Sequence, residues 1–262
     1  MPNIDARFFD APIDARPACP SAGSPTFRAG LFEVNAPNAC TNFSVAETGA
    51  IMAVCPGATS MVLYGGTVAD GLRPAITDLP STDQPLEIRI APEGDFAIIQ
   101  LYVPGSSMAN QTHALRVDSA TSIWHDLGPI PVPSGFLSTP TRAAPDRHML
   151  LYDLSGDQFF DFVGDGVAWT KQAPYTTSPT SGFHSINNSF ALTPDGLRIV
   201  ANASPFANGL PELLYGVRPD LASPFTDSSL VDEASSIQQP ALSEDCGELY
   251  FIAIDRILYV KQ

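Results

Sequence analysis

Lysine occurs only at Lys171 and Lys261 in this chain of 262 residues, and no stretch gathers Lys and Arg into a patch. With a formal charge of −15, the chain repels polyphosphate and anionic lipid, which argues against nucleic-acid or membrane-surface binding. No apolar run approaches the ~18 residues that a membrane-crossing helix needs. No long stretch keeps a 3.6-residue period; the nearest candidate, 228–237, is short and polar. Catalytic signatures are missing as well. There is no G-x-S-x-G elbow for a serine nucleophile, no phosphate-cradling P-loop and no dinucleotide fingerprint. The four cysteines form no C-x-x-C pair, and His113, His125, His148 and His184 show no metal-ligand spacing. No cofactor and no metal are expected.

What the chain does contain is proline (25), glycine (19) and 44% hydrophobic residues, with only 16% charged. That mixture fits many short strands joined by many turns. Residues 1–25 differ from the rest. Asp-Ala recurs at Asp5-Ala6, Asp10-Ala11 and Asp14-Ala15 among prolines, which reads as a flexible tether ahead of one domain spanning 26–262.

Within that domain one hairpin is repeated. In Phe190–Ala203, alternating Phe190 and Leu192 run into Thr193-Pro194-Asp195-Gly196, and Leu197, Ile199 and Val200 follow. Proline presets one turn dihedral and glycine accepts positive φ. Related copies centre on Pro92-Glu93-Gly94, Pro145-Asp146 and Glu244-Asp245-Cys246-Gly247, with a degenerate first copy at Glu47-Thr48-Gly49. Their acids, Glu93, Asp146, Asp195 and Asp245, are expected to fix turns by side-chain to backbone hydrogen bonds. The period is near fifty residues, and each unit supplies a third strand (Met61–Tyr64, Ala114–Val117, Leu213–Gly216) and a fourth (Ala75–Leu79, Ser122–Asp126). Four antiparallel strands per unit predict one blade of a β-propeller. The last unit ends one strand short and the domain opens with one strand too many, Phe27–Val34, so the N-terminal strand is expected to complete the last blade. The fold class is therefore all-β, a five-bladed propeller of four-stranded antiparallel blades, with six blades as the alternative.

The pattern apolar-Ser/Thr/Ala-Pro-Asp-Gly followed by an apolar strand resembles the WD-related repeat of TolB-like β-propellers; Leu192–Val200 and Leu242–Phe251 match best. The resemblance implies a fold and no catalytic residue. The Asp/Ala/Pro segment resembles linkers that follow the lipid-modified cysteine of some bacterial lipoproteins.

Residues equidistant from Glu47-Thr48 face one another in the first hairpin, which pairs Cys40 with Cys55. Cys246 lies in the last hairpin turn, and Cys19 precedes the strand that joins that blade, which pairs Cys19 with Cys246. Two such bonds point to an oxidising compartment. The chain is thus expected to be periplasmic, cell-surface or extracellular, after a signal or anchor has been removed or omitted.

Asp153, Asp157, Asp161 and Asp165 are spaced by four, but Phe159, Phe160, Phe162 and nearby glycines make them strand and turn residues rather than a metal site. N-x-S/T sequons occur at Asn42, Asn110, Asn187 and Asn202. Tyr175 and Phe206 sit in long loops suited to contact. These features predict a monomeric, non-enzymatic binding module with a protein or carbohydrate partner. The alternative is a carbohydrate-active enzyme with carboxylates in the central funnel, for which Asp70, Asp78, Asp118, Asp126 and Asp220 are the available acids.

Overall fold

The computed structural model describes residues 19, 25–27, 29–37, 39–105, 110–133, 135–142, 146–153, 158–172, 175–176, 186, 190–203, 212–221, 223–225, 227–231, 238–243, 245–253 and 255–262, with the backbone alone at 29, 30, 153, 158, 175, 176 and 227–230. The 1–25 tether (Cys19 and Pro25 apart), His184, Asn187, Phe206, Asp157 and the Tyr175 side chain lie outside these.

The first strand, β1 (Ala29–Glu33), does not belong to the first sheet. Blade 1 is β2 (Asn42–Val45), β3 (Ala50–Pro56), β4 (Met61–Thr67) and β5 (Gly71–Pro74). Blade 2 is β6 (Gln84–Ile90), β7 (Phe96–Tyr102), β8 (Asn110–Asp118) and β9 (Ile123–Pro129). Blade 3 is β10 (Phe136–Leu137), β11 (Arg147–Asp153) and β12 (Gln158–Gly164), with β13 (Trp169–Lys171) and β14 (Tyr175–Thr176) sharing its outer edge. Blade 4 is β15 (Phe190–Leu192), β16 (Arg198–Ala203), β17 (Glu212–Val217) and β18 (Asp227–Leu230). Blade 5 is β19 (Gln238–Leu242), β20 (Glu248–Ala253) and β21 (Arg256–Lys261), completed on the outside by β1. Five such antiparallel sheets make a five-bladed propeller, so the six-bladed alternative is excluded. The N-terminal strand closes the ring, Phe32 opposite Tyr259 and Glu33 opposite Leu258.

Alternation along each strand gives every blade two apolar faces, one for each neighbour. Met52 and Val54 of blade 1 pack with Ile88, Ile90 and Ile99 of blade 2. Phe96 and Ile98 meet Met149, Leu151 and Phe162 of blade 3. Leu150, Tyr152 and Phe159 meet Phe190, Leu192 and Ile199 of blade 4. The last cluster joins blades 4, 5 and 1 through Val200, Tyr215, Phe251, Tyr259 and Phe43. Each such Leu, Ile or Phe contributes about 1.5–3 kcal/mol by leaving water.

Two local readings are corrected. The fourth strand of blade 1 is Gly71–Pro74, not Ala75–Leu79. Leu72 N–H bonds Asn35 O and fixes the strand early, and the 75–79 segment then leaves the sheet. It runs beside the outer strand of blade 2, where Thr77 bridges Trp124 in parallel. The first hairpin is also shifted. Asn42 faces Val54 and Val45 faces Ile51, so the pairing centres on Thr48, and the position opposite Cys40 is Pro56. Cys40 precedes the ladder and still reaches Cys55, with Cα atoms 3.9 Å apart. Cys19 and Cys246 form the second disulfide.

The repeated turn is built by side chains. Thr193 Oγ1 donates to Asp195 Oδ1 (2.6 Å), Leu197 N–H donates to the same oxygen (3.0 Å), and Arg198 N–H donates to Thr193 Oγ1 (3.1 Å). Ser243 and Asp245 repeat this with the Gly247 and Glu248 amides. Glu93, two residues after Ala91 where the other turns have Thr or Ser, accepts from Arg147 of blade 3 (2.7 Å). Asp146 is exposed at the foot of β11. Gly196 has φ +70°, and a Cβ there would lie 2.8 Å from Thr141 Cγ2 and 2.7 Å from Leu221 Cδ2. This turn thus requires glycine both for its backbone and for its fit against blade 3.

Candidate functional site

The innermost strands β2, β6, β10, β15 and β19 surround the propeller axis. Two of them are irregular at the same level. The β6 ladder skips Leu86 between Pro85 and Glu87, and the β19 ladder skips between Gln238 and Ala241. Gln239, inside the second irregularity, has φ +52° without being glycine. Bulges and left-handed residues re-aim side chains. Here they point polar groups at one another across the axis.

Arg89 is the centre of that cluster, and it is buried. Its Nε–H donates to the Leu137 carbonyl of blade 3 (2.7 Å). Nη1 donates to Asn42 Oδ1 (3.2 Å) and to the carbonyls of Phe43 (3.3 Å) and Ile88 (3.0 Å). Nη2 donates to Gln239 Oε1 of blade 5 (3.5 Å) and stands 2.5 Å from Glu87 Oε1. One guanidinium therefore links blades 1, 2, 3 and 5. Around it, Asn42 Nδ2 donates to Gln239 Oε1 (2.7 Å), and Asn42 Oδ1 accepts from Ile88 N–H (2.8 Å). Ser44 Oγ accepts from Ile90 N–H (3.0 Å). Thr139 bonds both the amide and the carbonyl of Leu192, so blades 3 and 4 are stitched in the same way. Burial pushes the Glu87 carboxyl above its ordinary value, against the pull of Arg89. Burial likewise pushes the Arg89 guanidinium down, opposed by Glu87.

Chemically, the described residues at the axis form a hydrogen-bonded cluster around Arg89. Among the described residues Glu87 is its only carboxylate. Of the acids available for funnel chemistry, none lies on an inner strand. Asp70 accepts from Thr67 in the β4–β5 turn, Asp118 caps the turn after β8, and Asp220 accepts from Ser223 beyond β17. Asp78 and Asp126 lie at the outer edge of blade 2. There His125 Nδ1 is 2.9 Å from Asp78 Oδ2, and His113 Nδ1 is 3.0 Å from Asp126. The Asp126 amide, followed by His125, holds the Asp78 carboxyl below its ordinary range. His148, one of the four histidines without metal-ligand spacing, sits 3.0 Å from the buried Asp161 on the neighbouring strand. Asp165 caps the amides of Val167 and Ala168, as turn chemistry requires. Asn42 and Asn202 are buried, which leaves Asn110 as the exposed sequon among the described residues.

Sequence reading missed Glu87 and Arg89. The signal was there: β6 alternates Glu87-Ile88-Arg89-Ile90, the one inner strand of the repeat that carries charge, immediately before its turn.

No known family's sequence profile matches the chain, and no curated protein matches it in sequence. Among solved structures it is similar to regucalcin, a calcium-binding protein of Agrobacterium tumefaciens (10% identity, TM-score 0.48, over 91% of this chain and 95% of that one). It is similar to a gluconolactonase of Xanthomonas campestris (8% identity, TM-score 0.47, over 94% and 98%). A protein of Desulfotomaculum acetoxidans is similar over 82% of this chain (12% identity, TM-score 0.48), which spans 65% of that protein's length. These likenesses are to β-propellers. They carry no residue or activity across.

Proposed function

We propose that this chain is a non-enzymatic binding module of the TolB-like kind, working outside the cytoplasm. The observation that carries the reading is the axis itself. Where a propeller enzyme would keep an open funnel of paired acids, Arg89 fills the centre and is bonded to four inner strands. Glycoside hydrolysis ordinarily needs two carboxyl groups about the scissile bond, and Glu87 stands alone at this axis among the described residues. The upward push of burial on its carboxyl is the one feature that favours acid catalysis instead, since a general acid must hold a proton to give to the leaving group.

Two disulfides support an oxidising, extracytoplasmic setting. No helix among the described residues is long and apolar enough to cross a membrane. The 1–25 segment is taken as the tether of a single monomeric domain, held at the envelope or secreted.

The test is paired. The purified chain is offered to a glycan array and to envelope extract, and is assayed for glycosidase and lactonase turnover alongside Glu87→Gln. Saturable binding without turnover supports the reading. Turnover that disappears in Glu87→Gln replaces it with the enzyme.

A further inference from the structure

The two faces of the propeller differ in charge. The hairpin turns, the starts of the fourth strands, Cys19 with Cys246, and Gln262 beside Gly247 all belong to one face, the turn face. Over blades 1 and 2 that face carries Glu47, Asp70, Glu93, Asp95, Arg116 and Asp118. Arg142 and Arg147 reach in from blade 3 to Glu47 and Glu93. On the opposite face of the same two blades, the described residues 36–42, 56–61, 80–86, 102–105, 110 and 129–135 include a single charged side chain, Asp83. A chain with 28 acidic residues has left one face of two blades almost uncharged.

That uncharged face also displays its apolar groups. Tyr102 is 41% exposed and Leu86 38% exposed. Tyr102 pairs across the sheet with Gln84, and Leu86 stands on the β6 bulge beside the axial cluster. Asn110, at the start of β8, faces Tyr102 in the ladder and is exposed. Ser60 and Thr59 add exposed hydroxyls on blade 1.

We infer that the far face of blades 1 and 2, centred on Leu86 and Tyr102, binds an uncharged polysaccharide. This rests on the binding-module reading and names its ligand class. An aromatic ring offers an apolar body with a polar tip, and amide and hydroxyl groups supply directed hydrogen bonds. A ligand dense in hydroxyls and free of charge matches both. A charged ligand would find no complement here, because charge steers and selects through opposite charge. The turn face already carries ion pairs between its own turns, Glu47 with Arg142 and Glu93 with Arg147.

The experiment uses the whole chain on an array of neutral glucans, mannans and galactans beside uronate polymers, with an envelope-protein pull-down in parallel. The expected result is binding to a neutral glycan that changes little between ~0.05 and ~0.5 M NaCl. Tyr102→Ala should weaken it at least tenfold and Leu86→Ser several-fold, with Asp70→Asn on the turn face unchanged. Thermal melting confirms that each variant is folded. Binding to uronates or to protein alone overturns the inference and leaves the binding reading standing. So does neutral-glycan binding indifferent to Tyr102→Ala and Leu86→Ser. An array with no neutral glycan bound also overturns it. Turnover of a glycan overturns the binding reading instead.

Discussion

Arg89 Nη2 stands 2.5 Å from Glu87 Oε1, two residues earlier on the same strand, with both side chains almost out of reach of water. The contact is one of charge, since no well-directed hydrogen bond reaches Glu87 Oε1 among the described residues. Removing one partner of such a pair leaves a buried charge uncompensated, at a cost of about 3–5 kcal/mol. Arg89→Met should therefore lower stability by that order in urea titrations. The Arg89→Met/Glu87→Leu double variant should recover most of the loss. A single-variant cost below ~1 kcal/mol would mean that the axial cluster does not hold the blades together.

The two disulfides should differ in worth. Cys40 and Cys55 are 15 residues apart, and Cys19 and Cys246 are 227 apart. On the chain-entropy account these close loops worth about 3 and about 5 kcal/mol in the unfolded chain. Cys19→Ser/Cys246→Ser should lose more stability than Cys40→Ser/Cys55→Ser. The reverse order in matched denaturation curves would refute that account for this chain.

Two glycines separate backbone strain from steric fit. Gly49 has φ +79° with nothing within 4 Å of where a Cβ would stand, whereas a Cβ on Gly196 would strike Thr141 and Leu221. Gly49→Ala should cost only the left-handed backbone penalty of about 1–2 kcal/mol. Gly196→Ala should cost at least a further ~1 kcal/mol, as overpacking does. Equal losses in the two variants would show that blade 3 yields to the added methyl.

Asp78 makes a prediction about acid. Its carboxyl is held below the ordinary 3.8, first by the Asp126 amide and then by His125. A carboxyl depressed on folding adds stability above its unfolded pKa and loses it as the pH falls through the folded value. Asp78→Asn should thus flatten the fall in melting temperature below pH 3.8. The side chain is about half exposed, so solvent weakens the effect. Parallel acid limbs in the two proteins would count against it.

The architecture was legible because its information is local. Phe190–Ala203 and Leu242–Ile252 announce hairpins through residues that build the turn themselves, and their spacing yields the blades. The disulfide partners followed from the same hairpins even though the register was off by half a step, because a side chain outside the ladder tolerates that error. The axis was not legible in this way. Glu87 and Arg89 lie on an alternating strand, where charged residues at every second position read as a solvated face. Only the convergence of five strands turns that face inward. The 75–79 segment escaped for a related reason: its partner, Trp124, belongs to the next blade.

Closure by β1 and by Cys19–Cys246 has a mechanical side. Residues 19 to 246 form one covalent ring, and Gln262 ends beside Gly247. A pull applied between residue 19 and residue 262 would pass through the disulfide and load only the chain from Cys246 onward. The inner hairpins, the Arg89 cluster and the first four blades would carry no tension along their backbone. Strain at a tether would then reach blade 5 alone.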